Sequence, residues 1–336
     1  MTLTRLITTE EHVTFEDIAA QAQALAAPVD RTIKEPEFTS FLGSYFGGLT
    51  GYQDLGAERL AHMDRVGVDV QVVSHGHGSP SNLIHPRAVE LCRSVNDRLA
   101  GMIGEHPDRF VGLATVPLID PDAAADELQR CVEELGFRGL LVAGGLEDQF
   151  LDHPRFLPLL ERAARLGAPL YIHPLMVRPQ VRSTYYAGDW SQTAEFMFAT
   201  SGYGWHIEAG IHVLRLIVAG VCDALPELKI LSGHWGEMVP GYLERLDDQL
   251  GLAFPGRERS ISQTYRDQVW VTPSGIYTNA QLQLCLEQMG ADHIVWSQDY
   301  PYITDVEPRA FLLDAPVSDE VRAKLAHGNA EALFGI

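Results

Sequence analysis

The chain is short of cysteine, short of basic residues and without any long apolar run, and each shortage excludes a class of protein. Its four cysteines in 336 residues, Cys92, Cys131, Cys222 and Cys285, stand alone in apolar stretches with no CxxC spacing. Neither a disulfide frame nor a cysteine zinc site is therefore expected. Lys and Arg number 25 against 45 Asp and Glu, a formal net charge of −20. That balance argues against nucleic acid and anionic membranes as partners, because both need clustered cations. No apolar stretch approaches the roughly 18 residues of a membrane span, and the first residues lack the basic-then-apolar order of a secretory signal. A cytoplasmic protein with no membrane partner is expected. Also missing are a GxSxG elbow, a P-loop and a GxGxxG turn after a strand. Small-molecule chemistry is the class that remains.

What is present is alternation. Short β-branched or apolar runs at 5–12, 68–75, 110–117, 139–143, 169–173, 229–234, 269–272 and 293–299 read as eight strands. Between them lie segments of helical period, such as Ala88, Leu91, Cys92, Val95, Leu99, Met102 and Ile103, or Phe156, Leu159, Leu160, Ala163 and Ala164. Eight nearly continuous apolar strands alternating with helices predict a closed (β/α)8 TIM barrel, one domain over residues 1–336. An open doubly wound sheet is the alternative, and the missing Gly-rich turn after the first strand speaks against it. Two connections, about 13–54 and 175–205, are too long for ordinary loops, so long insertions are expected after strands one and five. In a barrel both would rise from the face that carries active sites. They hold Phe41, Tyr45, Phe46, Tyr185, Tyr186, Trp190, Phe196 and Phe198, suitable walls for an aromatic ligand.

The strand ends carry the chemistry. Strand one closes on Glu10-Glu11-His12, strand five on His173-Pro174, strand six on His234-Trp235-Gly236-Glu237 and strand eight on Asp299-Tyr300-Pro301. Alternation along a strand puts Glu10 and His12 on one face and turns Glu11 outward. A lone strand-end His is ordinarily a hydrogen-bonded structural residue, and a lone Asp before Tyr-Pro can cap a turn. Convergence of Glu10, His12, His173 and Asp299 at one rim instead suits a single divalent ion, Zn²⁺ or Mn²⁺ rather than Ca²⁺ or Mg²⁺, because two imidazoles join two carboxylates. His234 is a fifth candidate ligand, but Glu237 three residues on can orient it as a proton relay. A helix starting there would carry Arg245 two turns further, either as a surface salt-bridge residue or as a substrate contact. His75 and His77, in the VVSHGHGSP stretch, and Tyr302 are further candidate substrate contacts. The other histidines, His206 and His212 among them, fall away from predicted strand ends and read as structural.

These residues resemble the amidohydrolase superfamily, in the branch of aminocarboxymuconate-semialdehyde decarboxylase and the γ-resorcylate and 2,3-dihydroxybenzoate decarboxylases. The resemblance spans nearly the whole chain through EEH at 10–12, YIHP, HVLRLIVAGVCDALPELKILSGHWGE, SQDYPY and GNAEALFG. It implies metal ligands at Glu10, His12, His173 and Asp299, an active-site His234 with its partner Glu237, and Arg245 helping to build a substrate site, from a neighbouring subunit in a homodimer or homotetramer. Glu-x-His in place of the His-x-His of hydrolytic members points to the hydroxybenzoate decarboxylases. The expected reaction is loss of CO₂ from an aromatic acid bearing an ortho hydroxyl, with Asp299 as proton donor. The rival reading is a metal-dependent hydrolase of a lactone, ester or amide, or a hydratase, using the same residues; a rim that only binds ligand is the third.

Overall fold

Parallel strands in unbroken chain order surround one axis: β1 (Ile7–Val13), β2 (Val70–His75), β3 (Phe110–Gly112), β4 (Leu140–Ala143), β5 (Leu170–His173), β6 (Ile230–Ser232) and β7 (Val269–Val271). The computed structural model describes residues 3–27, 35–47 and 53–336. Regular pairing gives one sheet ordered β1-β2-β3 and another ordered β4-β5-β6-β7. Isolated parallel bridges join them into a barrel: Ala114 to Leu140 on one side, Val271 to Ile294 and Thr9 to Ser297 on the other. The expected eighth strand is thus a segment held by few bonds, Val295 N–H to Val271 O (3.0 Å) and Thr9 N–H to Trp296 O (2.8 Å), rather than a ladder. The chain turns left-handed at Asp299, φ 69°, and meets β1 once more beyond it, where Tyr300 O accepts the His12 N–H at 2.7 Å. Several expected strands are also shorter than their apolar runs, the third ending at Gly112 rather than at 117.

Strand parity sorts the core into two zones. Ile7, Leu141, Tyr171 and Leu231 pack together with Val72, Leu113 and Val295, one residue from nearly every barrel segment, and the C-terminal helix Asn329–Phe334 adds Ala330, Leu333 and Phe334. Their strand neighbours Leu6, Leu140, Val142, Leu170, Ile172 and Ile230 belong instead to the larger cluster between strands and outer helices. That alternation is the period-two pattern of a strand with two buried faces, each apolar side chain contributing roughly 1.5–3 kcal/mol. The outer helices meet it with their predicted faces, Ala88, Leu91, Cys92, Val95 and Leu99 on Ala88–Glu105 and Leu159, Leu160 and Ala163 on Leu157–Leu166 all being buried. Among the described residues no helix is long and apolar enough to cross a membrane.

The stretch after β1 carries the helices Glu16–Leu25, Pro36–Gly47 and Ala57–Val66; that after β5 carries Gln192–Ala199 and Gly204–Val218. The two stretches meet through Phe38 and Phe41, which lie 5.6 and 6.3 Å from Phe196. A reciprocal pair of hydrogen bonds reinforces the contact, Glu35 N–H to Gln192 Oε1 (2.9 Å) and Gln192 N–H to Glu35 Oε2 (3.0 Å). Tyr185 and Trp190, expected as pocket walls, are instead 70% and 49% exposed. The side chain of Phe46, and residues 28–34 and 48–52 of the first stretch, lie outside the described residues.

Candidate metal centre

Glu10 reaches the rim by a route that simple alternation does not foresee. β1 pairs Thr8 with Gln71 but Glu11 with Val73, so one extra residue is accommodated between them. Glu10 takes up that bulge with φ 63°. A bulge re-aims a side chain, and here both neighbouring glutamates end fully buried. Glu10 Oε2 accepts from Thr272 Oγ1 (3.0 Å) and from Ser274 Oγ, in a hydroxyl cradle that Tyr171 joins through Thr272 (3.2 Å). Its Oε1 is left 3.7 Å from His173 Nε2 and 3.8 Å from His234 Nδ1. Glu11 does not turn outward to the helices as an idle neighbour. Its two oxygens accept the backbone N–H groups of Gln298 and Tyr300, each at 2.9 Å, on either side of Asp299.

The imidazoles are pre-set as lone-pair donors. His173 Nδ1 donates to the Pro174 carbonyl (2.7 Å), and His12 Nδ1 shares a hydrogen bond with Ser74 Oγ (3.1 Å). Each arrangement leaves Nε2 for a ligand, the role outer hydrogen bonds play around metal-binding histidines. Burial holds both rings down at about 4, so they are neutral near pH 7. His12 Nε2 lies 3.3 Å from Asp299 Oδ1. One ligand atom each from His12, His173 and Asp299 lies within 4.8 Å of the others. Burial pushes the Asp299 carboxyl up to about 7.

Among the described residues, three of these atoms have no hydrogen-bond partner although buried: Glu10 Oε1, His12 Nε2 and Asp299 Oδ1. Unsatisfied buried polar atoms are costly, roughly 1–3 kcal/mol each, and their convergence on one spot is what a bound cation would resolve. The donor set, two imidazoles and two carboxylates, fits Zn²⁺ or Mn²⁺.

His234 stands beside this group in a left-handed turn rather than at the start of the expected helix. His234, Trp235, Gly236 and Glu237 all have positive φ (46, 60, 76 and 52°), and the helix that carries Arg245 begins only at Leu243. Such conformations cost roughly 1–2 kcal/mol per non-glycine residue. Tertiary contacts hold them: Trp235 N–H to Thr272 O (2.6 Å), its indole Nε1–H to Ile276 O (2.6 Å) and His234 N–H to Ser274 Oγ (2.8 Å). Gly233 is needed because a Cβ there would sit 2.7 Å from Glu10 Oε1. Among the described residues, seven of the eight non-glycine residues with positive φ, Glu10, His234, Trp235, Glu237, Met238, Ser274 and Asp299, belong to this rim or its edge. Strain concentrated this way marks a functional site.

The turn still brings His234 and Glu237 together, Nδ1–H donating to Oε1 at 2.8 Å, while His234 Nε2 faces Asp299 Oδ2 at 4.0 Å. Burial disfavours a charged His234, yet Glu237, Glu10 and Asp299 around it outweigh that and raise it to about 10. A residue read as structural from the sequence joins them: His206, on the helix Gly204–Val218, places Nδ1 2.8 Å from Glu237 Oε2. No strand-end motif could have signalled it, because it arrives from a helix 28 positions before His234 in the chain. Arg59, likewise unforeseen, is buried beneath β1, donates to the His12 carbonyl and lies over the Tyr300 ring at 4.7 Å.

The remaining sequence candidates are placed differently. Tyr302 stands over the ligand group, its ring 5.4 Å from that of His12, and its hydroxyl accepts the His77 N–H at 3.3 Å. His77 is exposed on the loop after β2. His75 is not gathered with the rim groups: it is buried, its Nε2 accepts the Phe15 N–H (3.2 Å), and its ring packs on Phe15. Its position at the end of β2 therefore serves the main chain of the connection leaving β1. Arg245 is exposed on Leu243–Leu250 and makes no hydrogen bond or ion pair with any rim residue.

A family model described as Amidohydrolase matches residues 53–336. Over 304 residues the chain is 34% identical to the Decarboxylase orsB of Emericella nidulans, covering 86% of this chain and 89% of that protein. It is 33% identical over 298 residues to a gamma-resorcylate decarboxylase of Rhodococcus jostii, covering 84% of this chain and 88% of that one. A solved dihydroxybenzoic acid decarboxylase from a Polaromonas species, with bound manganese and the inhibitor 2-nitroresorcinol, superposes with a TM-score of 0.83 at 28% identity, covering 98% of this chain and 97% of that one. Together with the closed barrel and its rim of ligand atoms, these likenesses show that the chain belongs to the amidohydrolase family.

Proposed function

We propose that this protein is a metal-dependent, non-oxidative decarboxylase of an aromatic carboxylic acid carrying a hydroxyl ortho to the carboxylate. The observation that carries the reading is the set of unsatisfied buried atoms, Glu10 Oε1, His12 Nε2 and Asp299 Oδ1, beside the His234–Glu237 pair. Glu10, His12, His173 and Asp299 would hold one Mn²⁺ or Zn²⁺. When bound, such an ion supplies Lewis acidity and a fixed point for the carboxylate and phenolic oxygens of the acid.

The chain's own groups then do the rest. Asp299, supplied with a proton through His234, delivers it to the ring carbon that bears the carboxylate. The C–C bond breaks, its electron pair restores aromaticity, and CO₂ leaves with the phenol as co-product. His234 Nε2, 4.0 Å from Asp299 Oδ2, returns a proton to it, and Glu237 keeps the ring turned that way through Nδ1. Tyr302 and the loop bearing His77 border the acid's ring. Arg245, exposed near Tyr242 and Leu252 (64% and 79% exposed), serves the site of a neighbouring copy in a homodimer or homotetramer. The four unpaired, buried cysteines support a cytoplasmic location.

The test is a panel of hydroxybenzoates against a panel of lactones and aryl esters, with metal-loaded protein. CO₂ release from ortho-hydroxylated acids, lost by at least a thousandfold in Asp299→Asn, is the expected result. Turnover confined to the lactones and esters would assign the same rim to hydrolysis.

A further inference from the structure

His206 is the one histidine beside the centre that the reaction above does not use. It is 8% exposed, comes from the helix Gly204–Val218 rather than from a strand end, and its ring lies 4.3 Å from that of His234. Its Nδ1 meets Glu237 Oε2 at 2.8 Å, and the other oxygen of the same carboxylate takes His234 Nδ1–H at 2.8 Å. Glu237, 2% exposed, is thus held between two imidazoles, one on each oxygen. Its two oxygens accept only, so each imidazole must present an Nδ1–H to it. At the far side, His206 Nε2 has the Ser201 carbonyl at 3.0 Å and the Trp205 indole N–H at 3.1 Å. With Nε2 accepting the Trp205 indole N–H, the neutral ring carries its hydrogen on Nδ1, facing Glu237.

We propose that His206 is a positioning residue of the decarboxylation: by occupying Glu237 Oε2 it commits Oε1 to His234 and so keeps His234 Nε2 aimed at Asp299. Without it, a buried carboxylate oxygen is left unsatisfied, and Glu237 is free to rotate about its terminal torsion, which is broad and roughly two-fold in energy. Each such rotation breaks the 2.8 Å contact to His234 Nδ1 and releases the ring. The relay from Glu237 to Asp299 would then be populated only part of the time, which lowers turnover without removing a substrate contact. Packing alone does not require this role, because a leucine fills similar space while offering no N–H.

The inference rests on the decarboxylase reading, and its test separates the two. Metal-loaded parent is compared with His206→Asn, whose amide N–H stands near the place of Nδ1, and with His206→Leu. The expected result is a kcat at least tenfold lower in the leucine variant, with KM changed less than twofold and full metal content, while the asparagine variant keeps a third or more of the parent kcat. Parent-like kcat in His206→Leu overturns the proposal, and so does an equal loss in both variants, which marks packing. Should His206→Leu fail to fold, His206→Gln, whose amide reaches beyond the Nδ1 position, takes its place under the same criteria. A second readout needs no turnover: in zinc-loaded, ¹⁵N-histidine-labelled protein, the His234 Nδ1–H resonance is expected to shift in the leucine variant and hold in the asparagine variant. An unmoved resonance overturns the proposal. Failure of the decarboxylase reading shows separately, as a parent that releases no CO₂ while this pattern of shifts persists.

Discussion

Glu11 has both carboxylate oxygens committed to main-chain N–H groups, those of Gln298 and Tyr300, and these are the two peptide units on either side of Asp299. Burial pushes Glu11 up to about 8, against the two amides and the nearby Arg59 that favour its charged form. Asp299 itself sits at φ 69°, so its backbone is held by its neighbours rather than by its own preference. Glu11→Gln turns one acceptor into a donor facing an N–H. A loss of about 1–3 kcal/mol in unfolding free energy is expected, together with weaker metal binding as Asp299 loses its bracket. Urea unfolding and metal titration check both, and a variant equal to the parent in each would show the bracket idle.

His212 is a residue of another kind, a buried base far from the ligand atoms in its contacts. Its Nε2 accepts the Leu151 N–H at 3.0 Å, and burial lowers it to about 3. The unfolded chain takes up a proton on this residue below about pH 6.5 and the folded chain does not until near pH 3. Stability is therefore intact above pH 6.5 and is lost as the pH falls from there toward 3, by about 2 kcal/mol at pH 5 from this group alone. His212→Gln, which keeps an acceptor for Leu151, is expected to lose about 2 kcal/mol less than the parent between pH 7 and pH 5. Identical losses in the two proteins would remove the assignment.

At the scale of elements, the left-handed turn Gly233–Glu237 decides where His234 points. Trp235, 3% exposed and anchored by Thr272 and Ile276, holds the strained backbone, and Gly233 lets that backbone pass against Glu10. Gly233→Ala would push a methyl carbon to 2.7 Å from Glu10 Oε1. The expected outcome is metal affinity at least tenfold weaker with a smaller loss of fold stability, read by metal titration and thermal melting; unchanged affinity would place Glu10 outside the ligand set. The bulge in β1 belongs to the same scale. The sequence placed Glu10 and His12 at the end of the first strand, but strand parity misassigned Glu11, because parity assumes a regular ladder and the ladder is broken between Thr8 and Glu11. In the same way the His234–Glu237 pair was legible from spacing, while the turn joining them was not, since left-handed residues have no sequence signature when the residues are His, Trp and Glu.

For the whole molecule, the centre links segments 289 positions apart in the chain, from Glu10 to Asp299. Binding an ion there ties the first and last barrel segments to β5, and anything that binds only the folded state stabilises it. Stripping the protein with a chelator is expected to lower its thermal midpoint, and Mn²⁺ or Zn²⁺ at about a hundred times its Kd to restore about 2.7 kcal/mol. A chelated protein that melts with the untreated one would count against the centre. The chain by itself determined the barrel class and the four candidate ligands, because βα alternation and strand-end residue types are local properties. Only the tertiary structure decided that Glu11 brackets Asp299, that His75 serves the main chain, that Arg245 stands apart from the rim and that His206 joins Glu237. Each of these depends on which distant segment supplies a hydrogen-bond partner, and that is settled by how the barrel closes.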